Sequence, residues 1–205
     1  MGSSMTTGGG HLLPEWLRLV WVAIYAVIVI VHLRHAVVMG GQLRAWHTGH
    51  ILMALGMSWM FLPGGIITLP TTVGEVVFAL SALAISCWVI GTTASRRRLD
   101  FLWLILLLDM LGMVYMFAFP QVAFAPLTYL CTIYFATEMG SWLVRIFDRL
   151  DRQQWVLPSF AGVATRVLKT DARPLVEANS IEMCITLGLM AAGMAYMFLA
   201  MQAGM

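Results

Sequence analysis

The sequence predicts an all-α membrane protein, a single bundle of six helices. Three observations carry that prediction. Of its 205 residues, 60% are hydrophobic and only 11% are charged, whereas a soluble domain carries about 25% charged residues. Six apolar stretches are long enough, or nearly so, to cross a hydrocarbon core of about 30 Å, which takes about 20 residues. The cations, finally, gather between alternate stretches. Such a chain has no room for a second globular domain. Its three cysteines, Cys87, Cys131 and Cys184, all fall in apolar segments, which is not a disulfide framework.

Taken in order, residues 1–13 are rich in Gly, Ser and Thr and read as a disordered tail, so the membrane domain is expected over 14–205. The spans are expected at roughly 15–35, 47–65, 73–94, 101–119, 124–146 and 180–202. Pro63-Gly64-Gly65 ends the second, and Pro70 with Thr71-Thr72 leads into the third. Pro120 and Pro126 bracket a short turn that makes the fourth and fifth helices antiparallel neighbours. The stretch at about 148–179 mixes Trp155, Leu157, Phe160 and Leu168 with Arg166 and Lys169, the pattern of an interfacial loop on anionic lipid.

Eleven of the twelve Lys and Arg residues lie in or beside the first, third and fifth loops, and Arg18 alone lies at the other side. The positive-inside rule then puts those loops in the cytoplasm and both termini outside. The expected surroundings are lipid, with a second copy or a membrane-complex subunit as further partners; nothing points to nucleic acid.

One pattern occurs three times. Gly56-Met57-Ser58-Trp59-Met60-Phe61 returns as Gly112-Met113-Val114-Tyr115-Met116-Phe117 and as Gly193-Met194-Ala195-Tyr196-Met197-Phe198. The copies fall on helices two, four and six, which suggests one helical hairpin used three times, although the odd helices show no matching repeat. Two readings compete. Glycine lets helices approach closely, and methionine fills irregular gaps against aromatic edges, so the motif reads as packing. Thioethers also suit copper(I), and Met57/Met60, Met113/Met116 and Met194/Met197 are pairs that each share a helix face. On helix two that face continues inward through Met53 to His50.

Histidine supplies a second pattern. His32-x-x-His35 closes helix one and His47-x-x-His50 opens helix two, which puts four imidazoles near the cytoplasmic interface. Paired histidines on adjacent helices are a metal-ligand signal; copper, zinc and iron all accept nitrogen. The alternative is a set of amphipathic anchors at headgroup level. Three acids join them at the inner half: Asp109, Glu138 and Glu182. A carboxylate in hydrocarbon marks a functional position or a buried partner. Haem b between His32 and His50 is a weaker fit, because the other helices offer no second histidine pair.

No nucleophile elbow, P-loop or dinucleotide fingerprint is present. The segment Ala45-Trp46-His47-Thr48-Gly49-His50-Ile51-Leu52-Met53-Ala54-Leu55-Gly56-Met57-Ser58-Trp59-Met60-Phe61-Leu62-Pro63 resembles a family of actinobacterial polytopic membrane proteins catalogued only as a domain of unknown function. The resemblance implies a plasma membrane of a high-GC Gram-positive bacterium and no activity. The expected function is binding or passage of a soft transition metal, copper(I) first, through the methionine pairs and the His/carboxylate group. The alternatives are a non-catalytic subunit or assembly factor of a membrane complex, and a metal-dependent intramembrane enzyme at the cytoplasmic interface.

Overall fold

A computed structural model describes residues 14–62, 70–96, 101–119, 121–147 and 181–203. Those residues form six helices and no strand: α1 (Glu15–Val38), α2 (Gly41–Phe61), α3 (Thr71–Arg96), α4 (Phe101–Ala118), α5 (Ala125–Leu143) and α6 (Ile181–Ala203). The expected tail at 1–13 and interfacial loop at 148–179 lie outside the described residues.

Helices α1, α3, α4 and α6 are long and apolar enough to cross a membrane, and the chain is a membrane protein on that ground. Of the other two, α2 holds Gln42, Arg44, His47 and His50, and α5 holds Glu138 among several threonines.

The closest pairings are α1 with α2, α3 with α4, and α5 with α6. This is the arrangement of three consecutive hairpins. The pairs meet through their even members, α2 against α4 and α6, with α1 also reaching α6. The even helices therefore hold the middle. In α4 and α6, 56% of the most apolar window is buried, against 22% in α1 and α3. The outward faces of α1, α3 and α5 expose Val27, Ile30, Leu80, Leu83, Leu130 and Ile133, the surface that lipid covers.

The first hairpin differs from expectation. The loop of about a dozen residues is only Met39-Gly40, because both helices extend past their apolar stretches. Gly41 supplies the turn with φ +61, a conformation that costs glycine little. Arg44 closes it: its Nε donates to Ala36 O and Met39 O, each at 3.1 Å, so the last carbonyls of α1 have a cationic donor. Hydropathy alone misses such a segment, because Gln42 and Arg44 end the apolar run without ending the helix.

At the opposite end Arg18 does the same for α2. Its Nε donates to Phe61 O at 3.0 Å, and a terminal nitrogen donates to Leu62 O. Among the described residues, the cation at that end is thus a helix cap made across a hairpin.

Each repeat also has a defined packing role. A methyl group on Gly56 would stand 2.8 Å from Met113 Cε and 2.6 Å from Phe78 Cζ. One on Gly112 would stand 3.4 Å from Met194 Cε and 2.8 Å from Phe135 Cζ. The glycine of each of the first two copies therefore receives the methionine of the next copy. The third breaks the series: Gly193 receives the Tyr25 hydroxyl and the Trp21 ring of α1. Met57, Met113, Met116 and Met194 are buried in one core with Phe61, Phe117, Phe135 and Phe198, while Met60 and Met197 are half-buried at its edge.

Candidate functional site

All four predicted histidines come together at the end of the bundle where α1 turns into α2. The helical spacing does this: His32 and His35 lie one turn apart on α1, His47 and His50 one turn apart on α2, and the two-residue turn aligns them. The rings form a row. His35 stacks on His47 with centroids 5.2 Å apart, His47 lies 5.2 Å from His32, and His32 stacks on His50 at 5.1 Å with planes 8° apart. His32, His47 and His50 are buried; His35 is half-buried and forms the outer end of the row.

The nitrogens are not equivalent. His35 Nδ1 donates to Val31 O at 2.8 Å, and His50 Nδ1 donates to Trp46 O at 2.9 Å. A carbonyl only accepts, so each of these rings carries its proton on Nδ1, and in the neutral ring Nε2 keeps the lone pair. His32 Nδ1 and His47 Nδ1 share a hydrogen bond of 3.1 Å. Only one can be the donor, so the acceptor ring is neutral. His32 Nε2 is buried and makes no hydrogen bond. A backbone carbonyl on one imidazole nitrogen with a lone pair on the other is the arrangement that orients metal-binding histidines.

Trp46 is the residue that the histidine pattern left out. Its ring centroid lies 4.1 Å from that of His50, 5.1 Å from His47 and 6.2 Å from His32. Its place one residue before His47 and four before His50 was the available signal.

The acids divide. Asp109 and Glu138 are both buried and lie beside each other between α4 and α5. Tyr134 Oη donates to Asp109 Oδ1 at 3.5 Å, and Trp142 Nε1 donates to Glu138 Oε1 at 3.1 Å. Glu138 and Trp142 lie four residues apart on one face of α5, and that spacing was the available signal for their bond. Glu182 stays at the surface, 3.9 Å from Arg34, in an exposed pair that contributes little to stability. The acids thus make a second group, with no hydrogen bond or ion pair to the histidines. Among the described residues, no group of three or more His, Cys, Asp or Glu side chains is placed so that it could hold a metal ion.

Residues 42–201 match the family described as a domain of unknown function, DUF5134. The chain belongs to that family. The DUF5134 match takes in α2 through nearly all of α6, and so His47, His50, the carboxyl pair and every copy of the repeat, while His32 and His35 on α1 precede it. No curated protein and no solved structure matches this DUF5134 chain.

Proposed function

We propose that this protein binds a soft transition metal, copper(I) first, through the imidazoles of His32, His35, His47 and His50. The observation that carries the reading is the convergence of four rings, two of them with Nδ1 held by a backbone carbonyl and Nε2 left as a donor. Copper(I) accepts two or three imidazole nitrogens as ligands. Zinc and iron take the same donors and are the comparison metals. Ligation needs a small rearrangement. The His32–His47 bond opens, and one ring turns its lone pair toward the shared space. The thioethers of Met113 and Met194 fill the gaps above glycines of neighbouring helices, so the metal is held by nitrogen. Asp109, Glu138 and Glu182 take no part.

In this reading all six helices cross the plasma membrane, and the histidine end, which also carries Arg34 and Arg44, faces the cytoplasm. A second reading, a non-catalytic subunit of a membrane complex, draws on the interlocked glycine and methionine faces. The test is anaerobic titration of the purified protein with copper(I) against a chromophoric chelator, beside a variant in which all four histidines are alanine. Saturable uptake that the variant lacks is the expected result. Wild-type protein that takes up no copper(I) overturns the proposal.

A further inference from the structure

A cleft of about 170 Å³ opens between α4 and α5, separate from the histidine group. Leu108 and Thr137 at its lining are exposed, so it is reached from the side, where lipid lies. Among the described residues, its polar groups are Tyr134, Thr137, Glu138 and Ser141. Glu138 is only 6% exposed, and its Oε2 is buried without a hydrogen-bond partner. Thr137 and Ser141 also line the cleft, and each hydroxyl donates its hydrogen to a backbone carbonyl, Tyr134 O at 2.7 Å and Thr137 O at 2.8 Å, which leaves only lone pairs. The Tyr134 hydroxyl points its hydrogen at Asp109. Among the described residues, no lysine or arginine lines the space. The walls include three aromatic rings, Phe101, Tyr134 and Phe147.

A carboxyl oxygen without a hydrogen-bond partner, hydroxyl lone pairs and aromatic rings together suit one chemical class. A cation that carries N–H groups satisfies all three: its charge meets the carboxylate, its hydrogens meet the oxygens, and ring faces attract it. The cleft is too small for more than a head group, and its side opening suits an apolar tail that stays among lipid chains. We propose that the α4–α5 cleft binds the protonated primary amine of an amphiphile, with Glu138 as its counter-ion. The site is independent of the histidines.

The experiment uses the full chain in dodecyl maltoside micelles, which carry no amine and no charge. Binding of radiolabelled dodecylamine is measured by equilibrium dialysis, with dodecanol as the neutral comparison. Trp142, whose indole donates to the other oxygen of Glu138, gives a second readout. With 5-fluorotryptophan incorporated, its ¹⁹F resonance, assigned by Trp142→Phe, shifts on binding.

The expected result is saturable binding of dodecylamine, at least tenfold weaker binding of dodecanol, and at least a tenfold loss in Glu138→Gln. That substitution keeps the size of the side chain and a carbonyl for Trp142, and an unchanged melting temperature shows that the fold is intact. A His32→Ala/His50→Ala protein binds the amine as wild type does, so the two sites fail or succeed separately. Phosphatidylethanolamine added to the micelles displaces the amine if a lipid head group is the occupant, and leaves it bound if a free amphiphile is. Equal binding of dodecanol, or equal binding by Glu138→Gln, overturns the proposal and leaves an apolar crevice.

Discussion

The Nδ1 atoms of His32 and His47 stand 3.1 Å apart in the buried angle between α1 and α2, each ring supplied by a different helix. That single hydrogen bond joins the deep pair, His32 and His50, to the shallow pair, His35 and His47. Replacing His47 by alanine removes one donor nitrogen and orphans His32 at both of its nitrogens. The expected outcome is a loss of copper(I) affinity of tenfold or more, together with about 1–3 kcal/mol of stability for the buried group left unpaired. Chelator competition reads the first and unfolding in mixed micelles reads the second. A variant that lost stability but kept its affinity would assign His47 to packing.

Metal and protons compete for the same nitrogens, because only the neutral ring offers a lone pair. Affinity should therefore rise with pH while any of the four rings is protonated in the metal-free protein, and level off once all are neutral. The slope of log affinity against pH counts the protons released per metal bound, and a flat profile would mean that no imidazole changes its protonation on binding.

Gly56 shows what the repeat is for. With Phe78 Cζ at 2.6 Å and Met113 Cε at 2.8 Å, a new methyl has no room. The methionine end can swing away, but the Phe78 ring is part of the α3–α4 pair and is buried. Gly56→Ala should destabilise the protein by about 1–3 kcal/mol, as overpacking does. Adding Phe78→Leu should recover part of the loss. A double-mutant cycle checks it: no coupling between the two positions would contradict the contact.

Arg18 joins the outer end of α1 to the last carbonyls of α2. Arg18→Gln removes the charge and the forked geometry. Hydrogen exchange should quicken at the amides of Phe61 and Leu62, in the final turn of α2, and stay unchanged at the far end near Arg44, which caps α1 by its own bonds. Arg18→Lys should fall between, since an ammonium offers no planar fork.

These relationships bear on what a sequence can convey. The six helices were legible because each is a long, mostly apolar run, and most of their ends agree within a few residues. The exception was the start of α2. There Gln42 and Arg44 ended the apolar run, although the helix continues back to Gly41. The histidine group was legible because it is local: two helical turns joined by a turn. The acids were not. Asp109 and Glu138 meet only after α4 and α5 come together, and nothing in their spacing separates them from Glu182, which faces out to Arg34. The repeat was visible as a pattern and ambiguous as chemistry, since a methionine that packs and a methionine that ligates are written alike.

That ambiguity gives the last prediction. Met113 Cε reaches the Gly56 position and Met194 Cε reaches the Gly112 position, so these thioethers are filling space above glycine. Leucine has similar volume and no sulfur donor. Replacing Met57, Met113 and Met194 together by leucine should cost less than about 1.5 kcal/mol per site, the range for volume-conserving swaps. Copper(I) stoichiometry and affinity should not change, because imidazoles hold the metal. The control is the reverse experiment, with the methionines intact and all four histidines replaced, which should abolish uptake. If instead the leucine variant loses copper(I) while its melting temperature holds, the sulfurs are ligands. The buried core of α2, α4 and α6 would then have to open to admit the ion.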